Sequence, residues 1–468
     1  MALLPEELLD HIFSNLRISA KGYSRNEDGV NLATMSNVSL VNRTCYRIVR
    51  PHLYHTLIWE DSRYSGRATN FLRTCLQHQG TGSLVQALCV ESWSLVVSNE
   101  GDNAHLERVL EEVRQGLLAA VDTFGLSTDI QQRLLSQLAY GVEDARLALL
   151  LLLAPNVQYL EISASSGVYR SLVMSVLRLG RVCRDLGSST HAFVRPLQRL
   201  AEVKITHSDR EGCLNIDDLL PLMQLPMLDI LRGNMIACNS QSTHHLSPHS
   251  SSLKKIYLDW SLLDGVGLER LLAACPELET LSMHWAPATA GIPAFKNPSL
   301  GRALRSNGSR LTNLRLNPRD AERDSHERDS PLGILREVES LRLLDVTYHA
   351  LFGHNPKTRP SYLKQILPFS LCALRIAGAG SAKTREVLDN ESDDDAEDSR
   401  LATVSVLDVQ LVELMQDTKF AELSLIKVQR RDGFTLAGQA RDLGWSDASG
   451  RFGVILKKRN RLSYNTLD

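Results

Sequence analysis

The segment from Ala377 to Thr384 comes nearest to a chemical motif in this chain. It follows an apolar run and approaches the phosphate-binding pattern GxxxxGK[ST], in which glycines let the backbone approach phosphate oxygens closely. Alanines occupy both glycine positions here, at Ala377 and Ala382. Seven acidic residues follow within residues 389–398, and their charge opposes phosphate. We therefore predict no nucleotide site in this segment.

Three histidines, His244, His245 and His249, are the other candidates for chemistry, as metal ligands. No cysteine or carboxylate at ligand spacing accompanies them, so a solvated loop is the better interpretation. The sequence also lacks HExxH, GxSxG and GxGxxG. We predict no catalytic residue, no metal and no cofactor, and hence a non-catalytic protein. An active site assembled from distant residues stays open as an alternative.

Composition excludes further classes of function. The chain has 468 residues, 43% of them hydrophobic and 23% charged, with a formal net charge of -2. This charge gives no basic footprint, so we expect neither nucleic acid nor a membrane surface as partner. The longest apolar run, residues 147–154, is far shorter than the roughly 20 residues of a membrane span, which indicates a buried helix. Without a basic leader or a CxxC pair, the expected location is cytoplasmic, nuclear or both.

A repeated pattern, apolar-x-x-apolar-x-apolar, must supply the elements that position any site. A broken copy at Leu228-x-x-Leu231 lacks the third apolar residue, and the middle positions from 231 to 374 are 25, 25, 33, 30 and 30 residues apart. These steps resemble those of leucine-rich repeats, in which a short strand is followed by a helix. The pattern predicts an α/β repeat, an irregular leucine-rich-repeat solenoid over residues 157–430. The alternative is a generic α/β protein with several amphipathic units. The nine full copies begin at Val85, Val157, Leu200, Leu253, Leu278, Leu311, Leu341, Leu371 and Phe420.

Several stretches depart from this pattern. Residues 61–156 hold an irregular first repeat, whose copy of the pattern lies far from the next one, and we expect helical insertions there, at 103–118 and 131–153. Residues 319–330 and 386–399 are polar and acidic, and we expect disordered loops because they cannot bury enough apolar surface. Ser392 precedes three aspartates, which suits an acid-directed kinase, although plain disorder is favoured. Residues 431–468 are expected to form a C-terminal cap.

The first 60 residues predict a separate module of three short helices. Apolar residues recur at helical spacing from Leu4 to Leu16, with Pro5 in the first turn. A polar stretch, 19–31, is followed by two further predicted helices, 32–36 and 38–49, which Pro51 should end. So small a bundle buries little surface, and its generous apolar stripe suggests a partner that covers it.

Residues 4–16, LPEELLDHIFSNL, resemble the opening of an F-box, written LPxELLxxIFxxL. Residues 40–54, LVNRTCYRIVRPHLY, resemble its close, written SLVxxxWYRLxxPxLY. Cys45 stands where an aromatic residue is usual, and the first loop carries an insertion of about ten residues, a change that loops tolerate. The alternative for this module is a helical cap of the repeat array.

Together the two parts resemble F-box proteins with degenerate leucine-rich repeats, of the divergent type found in fungi. That family docks its F-box on the Skp adaptor of a cullin-RING ubiquitin ligase, while the repeats recruit a protein substrate. The resemblance implies a substrate-receptor subunit of an SCF-type ligase, with Skp and, through it, cullin as partners. A scaffold that uses the same surfaces without ubiquitination is the alternative. The residues implied to face the adaptor are Leu4, Pro5, Leu8, Ile12, Leu16, Leu40, Val41 and Ile48.

In such an array, the residues between the inward apolar positions of each strand face the concave surface. Trp260 and Trp285 are one repeat step apart and are expected either to stack as adjacent anchors or to cover an edge. The mixed charges do not reveal the substrate. The central column is expected at Glu161, Lys204, Tyr257, Ser282, Arg315, Asp345, Arg375 and Ser424. The residues expected to bind substrate are Tyr257, Trp260, Ser282, Trp285, Arg315, Asp345 and Arg375.

Overall fold

The computed structural model describes the greater part of the chain, and the chain divides into two compact units. The first unit is Met1–Ile236 with Ser250–Leu253, and the second is Ala237–His249 with Lys254–Asp468. The boundary therefore lies inside the range 157–430 that we expected to form one array. The described residues are 4–18, 25–59, 66–78, 80–93, 111, 114–164, 171–182, 196–208, 212–240, 243, 245–285, 297–317, 331–353, 363–377, 406–429, 437–447 and 454–458.

The first unit is mixed α/β. Its strands are β1 (Thr56–Trp59), β2 (Ala87–Trp93), β3 (Tyr159–Ala164), β4 (Glu202–His207), β5 (Leu214–Asn215) and β6 (Ile230–Asn234). Its helices are α1 (Glu6–Asn15), α2 (Arg25–Ser39), α3 (Arg43–Leu53), α4 (Gly66–Gln77), α5 (Arg114–Thr123), α6 (Thr128–Ala139), α7 (Glu143–Leu153), α8 (Leu172–Val182) and α9 (Leu220–Met223). Two 3-10 turns, Gly82–Leu84 and Ile216–Leu219, complete it.

The second unit is also mixed α/β. Its strands are β7 (Ile236–Cys238, which begins one residue before the unit), β8 (Lys255–Leu263), β9 (Thr280–Trp285), β10 (Asn313–Asn317), β11 (Leu343–Thr347), β12 (Ala373–Ala377), β13 (Leu425–Val428), β14 (Trp445–Asp447) and β15 (Val454–Lys458). Its helices are α10 (Gly265–Ala274), α11 (Asn297–Asn307), α12 (Tyr348–Phe352), α13 (Leu363–Ile366), α14 (Val406–Gln416) and α15 (Ala437–Asp442), with a 3-10 turn at Thr418–Phe420.

Parallel strand pairing in the first unit follows the repeated pattern. The middle apolar residues of successive copies are register partners, from Leu88 to Leu160 and on to Val203. The broken copy also forms a strand, β6, in which Leu231 pairs with Val203 and Gly233 takes the place of the third apolar residue. The predicted strands are confirmed here. The sequence prediction missed β1, which pairs in parallel with β2.

In the second unit the middle apolar residues pair in the same way along six parallel strands, β8 to β13. The last copy is a correction. We expected it to begin at Phe420, but Leu374 pairs with Ile426, so the inward residues are Ile426 and Val428. Phe420 instead ends a 3-10 turn. Strands β15 and β14 then continue the sheet in antiparallel pairing, with β15 beside β13.

The core of the sheets consists of the apolar residues of the pattern, whose side chains are almost wholly buried. Alternate residues of a strand point to opposite faces, which explains why the pattern has apolar residues two apart. Helix α7 of the first unit is almost wholly buried. The apolar run 147–154 lies in this helix and in the residue just after it, as predicted. Residues 94–110, where part of the helical insertion was expected, lie outside the described residues.

A buried carboxylate connects the helical insertion with the sheet. The side chain of Asp144 accepts hydrogen bonds from the indole nitrogen of Trp93 at 3.1 Å and from the backbone nitrogens of Leu172 and Val173. It therefore occupies the N-terminus of α8, where backbone N–H groups need acceptors. Burial raises the pKa of this carboxyl, against the opposing effect of these hydrogen bonds.

Helices α1, α2 and α3 enclose a small core of Phe13, Met35, Ile48 and Val49. Two expectations were wrong. Helix α2 begins at Arg25, inside the stretch 19–31 that we expected to be a polar loop. Helix α3 continues through Pro51 to Leu53. Proline lacks a backbone N–H and so removes one helical hydrogen bond. Near the end of a helix few hydrogen bonds follow it, so the helix can continue for two more residues.

Within the described ranges, none of the helices has the length and apolar character that crossing a membrane requires.

Glycine allows one helix of the second unit to pack closely against its neighbour segment. A Cβ atom at Gly301, in α11, would overlap the carbonyl oxygen of Leu332. The Leu332 backbone is held by a hydrogen bond to the carbonyl of Ala350 at 2.8 Å, so it has little freedom to withdraw.

We predict that Gly301→Ala lowers the free energy of unfolding by about 1–3 kcal/mol, because the added methyl group overpacks this contact. Gly29→Ala is the matched control, since a Cβ at Gly29 meets nothing within 4 Å in α2. It should raise stability by about 0.5–1 kcal/mol. Urea unfolding of both variants measures the difference, and equal effects would contradict the close packing of α11.

Candidate functional site

The first candidate site is a set of exposed apolar side chains in and beside the amino-terminal helices, here called the apolar patch and formed by Leu4, Leu8, Ile12, Leu40 and Val41. Their exposed fractions range from 46% at Ile12 to 82% at Leu40. Exposed apolar side chains occur singly on many proteins, whereas five of them in one small helical module favour an interaction surface.

Helix α1 has apolar residues on two sides, which explains the patch. Phe13 is buried in the small core, and Leu9 and Leu16 pack against it. Leu8 and Ile12, one turn apart, lie on the other side of the helix and stay exposed. A helix that served this bundle alone would need only the first set.

Six of the eight residues expected to face an adaptor are exposed: the five of the apolar patch and Pro5. Leu16 is half-buried because it packs against the core of the three helices. Ile48 is a correction, since it is part of that core and only 8% exposed. Its position in α3 turns it towards Phe13 and Met35, so it supports the surface from beneath.

Polar contacts fix α1 against α3. Arg47 forms an ion pair with Glu6. His52 is buried, accepts a hydrogen bond from Arg17 Nε at Nδ1 (2.7 Å) and contacts Asp10 through Nε2 (2.7 Å). Since Nδ1 accepts, Nε2 carries the proton and donates to Asp10. These contacts hold the α1 residues of the apolar patch in a defined orientation.

The connection between α3 and the first strand is short and hydrogen-bonded. The Thr56 hydroxyl donates to the Ile18 carbonyl at 3.0 Å, and Arg50 donates to the Thr81 hydroxyl at 2.6 Å. The His55 carbonyl accepts from the backbone nitrogens of Gln86 and Ala87 at 2.9 and 3.0 Å. The amino-terminal helices are thus joined firmly to the sheet of the first unit.

The second candidate site is a row of side chains across the sheet of the second unit. Strand register places Ser282 beside Arg315, Arg315 beside Asp345, and Asp345 beside Arg375. The next partner of Arg375 is Lys427, and Ser424 lies outside the strand. Lys427 was missed because the last copy of the pattern was assigned three residues too early.

Most of this row lines a pocket of about 330 Å³. It includes four residues expected to bind substrate, Ser282, Arg315, Asp345 and Arg375, together with Lys427. Tyr257 belongs to the same row, paired with Ser282, but does not line the pocket. The remaining polar lining is formed by Asp259, His284, Asn317 and Gln429.

The two tryptophans differ in role, which contradicts the first of the two alternatives, that they stack as adjacent anchors. Trp285 is 3% exposed, and its indole nitrogen donates to the Leu263 carbonyl at 3.1 Å. Trp260 is about half exposed and stacks at a tilt on His284, with ring centroids 5.9 Å apart. A β-bulge between Leu258 and Ser261 adds one residue to β8, so the register partner of Trp285 is Ser261.

The other candidates from the sequence do not assemble a site in the described part of the chain. His249 has a left-handed backbone, and its nitrogen donates to the Ala273 carbonyl at 2.9 Å. No group of three or more potential metal-ligating side chains occurs among the described residues. His244, the segment from Gly378 to Thr384, and the loops 319–330 and 386–399 with Ser392 lie outside them.

No protein-family model matches the chain, and no curated protein matches it either.

Burial shields two thiols of the first unit from solvent. It raises the pKa of Cys75 and of Cys89 to about 12, whereas Cys45 and Cys372 are partly exposed. At pH 8 only about one in 10⁴ of the buried thiols is the reactive thiolate.

We therefore predict that iodoacetamide at pH 8 modifies Cys45 and Cys372 at least about tenfold faster than Cys75 and Cys89, because alkylation needs an accessible thiolate. Mass spectrometry of the folded chain measures the rates, and the urea-unfolded chain is the control in which the differences should vanish. Rapid labelling of Cys89 in the folded chain would contradict its place in the sheet.

Proposed function

We propose that this chain is the substrate-receptor subunit of an SCF-type cullin-RING ubiquitin ligase. In this proposal the amino-terminal helices form an F-box that binds a Skp-family adaptor, and the repeated strand–helix units, as an irregular leucine-rich-repeat solenoid, recruit a protein substrate. The observation that carries the proposal is the apolar patch, exposed on helices whose sequence resembles an F-box at both ends.

The physical argument begins with the cost of the apolar patch. Burying a leucine or isoleucine side chain fully contributes about 1.5–3 kcal/mol, and each side chain of the patch leaves about half or more of that contribution unused. Its residues do not support the small core, which Phe13, Met35, Ile48 and Val49 form. A partner with an apolar groove supplies the missing burial, and helices laid in such grooves are a common mode of recognition.

The sheets support the recruiting half of the proposal. Each copy of the pattern contributes one strand, and parallel register aligns the side chains between the apolar positions into rows. Such rows form extended binding surfaces in repeat proteins. The row from Ser282 to Lys427 carries arginine, a residue type enriched where binding energy concentrates. The function needs no catalytic group in this chain, because it depends on holding a substrate lysine near a charged conjugating enzyme.

A scaffold that binds the adaptor without directing ubiquitination is the second candidate. Both use the apolar patch and the rows, so they differ only in what assembles on the adaptor.

We predict that Leu8→Ala combined with Leu40→Ala weakens binding of a purified Skp-family adaptor at least about tenfold, since truncated anchors at interface centres cost 1–2 kcal/mol or more each. Isothermal titration measures the affinity. Leu118→Ala is the matched control, because Leu118 is an exposed leucine on α5, outside the apolar patch. Unchanged affinity in the double variant, with an unchanged melting temperature, removes the basis of the F-box proposal.

We further expect affinity purification of the full chain to recover a cullin together with the adaptor, because the adaptor links the two. The Leu8→Ala, Leu40→Ala variant should lose both, and Leu118→Ala should lose neither. Recovery of the adaptor without cullin or ubiquitin-transfer activity favours the scaffold.

A further inference from the structure

Three cationic side chains of the pocket in the second unit form no ion pair with any described residue. Arg315, Arg375 and Lys427 lie on three of the four adjacent strands β10 to β13, with Asp345 on the remaining one. Among the described residues, none of the three cations has an ion-pair or hydrogen-bond partner. The Nε atom of Arg375 is in addition fully buried without an acceptor, and an unmet buried donor is costly.

In the first unit, cationic side chains at comparable positions of the sheet form ion pairs with neighbouring acids. Lys204 contacts Glu161 at 2.6 Å on the neighbouring strand, and Arg232 contacts Glu202 at 2.7 Å. Lys204 and Arg232 are themselves register partners, as Arg375 and Lys427 are in the second unit. The row of the first unit is therefore neutralised within the sheet, whereas cations of the second row are left to an external acceptor.

We infer that this pocket binds a singly charged carboxylate, held chiefly between Arg375 and Lys427. Neighbouring strands lie about 4.8 Å apart, so these two side chains can reach the same oxygen pair. The planar fork of arginine can donate two parallel hydrogen bonds to a carboxylate from its two terminal nitrogens.

The charge of the pocket favours a monoanion over a dianion. Among the described lining residues, the three positive charges of Arg315, Arg375 and Lys427 exceed the two negative charges of Asp259 and Asp345 by one, with histidine counted as neutral. Asp345 is the register neighbour of Arg375 and repels a doubly charged phosphate twice as strongly as a carboxylate. The volume of about 330 Å³ fits one small acid or one residue of a peptide.

If the pocket recognises a recruited protein substrate, its role rests on the proposed function. A peptide segment of that substrate would then present an acidic side chain or a free carboxyl terminus to the pocket. A free small carboxylic acid has the same chemistry. Binding itself needs neither the adaptor nor the apolar patch, so the two proposals fail separately.

The test uses N-acetylglycine as the probe and N-acetylglycinamide as its uncharged counterpart, titrated into the full chain by ligand-observed NMR. A ligand of this size in a charge-matched pocket should bind with a Kd of about 1 mM. The amide should bind at least about tenfold more weakly. Absence of saturable binding by the acid, or equal binding of the two probes, overturns the inference.

Variants locate the binding. Arg375→Gln and Lys427→Gln should each weaken N-acetylglycine about fivefold to tenfold, as expected for a lost charge-assisted hydrogen bond. Arg310→Gln, a surface arginine paired with Glu277, is the control and should change nothing. Asp345→Asn should tighten binding about threefold by removing repulsion, an effect that misfolding cannot imitate. Affinity unchanged by all three pocket variants places the binding elsewhere and overturns the assignment.

Two further probes define the ligand. Inorganic phosphate should bind more weakly than N-acetylglycine, and tighter phosphate binding that depends on Arg375 overturns the choice of a carboxylate. A short peptide with a free carboxyl terminus, tested beside its C-terminal amide and beside one with an internal glutamate, distinguishes a terminal from a side-chain carboxylate. If all peptides bind more weakly than the free probe, the ligand is a small acid, and the recruitment role of the pocket fails while adaptor binding stands.

Discussion

The pairing of one apolar residue with its counterpart on the next strand is the constraint on which the rest of the structure depends. In the second unit this ladder runs from Ile256 through Leu281, Leu314, Leu344 and Leu374 to Ile426. Every strand is thereby fixed in register, and a slip of one residue would turn its apolar side chains to the other face. The row of polar side chains that lines the pocket follows from this ladder, because each of its members is the next residue along.

The two candidate sites differ in the kind of side chain that the fold leaves without a packing or ion-pair partner. In the amino-terminal helices the unsatisfied groups are apolar, since α1 has a second apolar side beyond the one that the core needs. In the second unit they are charges, since neither Arg375 nor Lys427 forms an ion pair with a described residue, whereas Lys204 pairs with Glu161. The first arrangement favours a broad macromolecular surface, and the second favours a small, directional anion.

Much of the strand architecture could be predicted from the sequence, because a buried strand needs apolar residues two apart and the repeated triplet records that need. The failures have local causes. Phe420, Leu423 and Leu425 satisfy the same pattern as Leu423, Ile426 and Val428, and only the pairing with Leu374 decides between them. The bulge at Trp260 adds one residue that no propensity marks, and it separates two tryptophans whose spacing equals a repeat step. Exposure is also hard to predict from sequence, since Ile48 was expected to face a partner but lies in the core. Lys427 lines the pocket, and it was not predicted because the last copy of the pattern was placed three residues too early.

The junction between α3 and β1 has a mechanical consequence. Only Tyr54 and His55 separate the last helical residue from the first strand residue, and the His55 carbonyl is already held by two backbone nitrogens at the start of β2. The connection between α3 and β1 therefore has no spare length, and inserting even one residue would break the hydrogen bonds to the His55 carbonyl. A partner that binds the amino-terminal helices therefore also fixes the orientation of the sheet of the first unit.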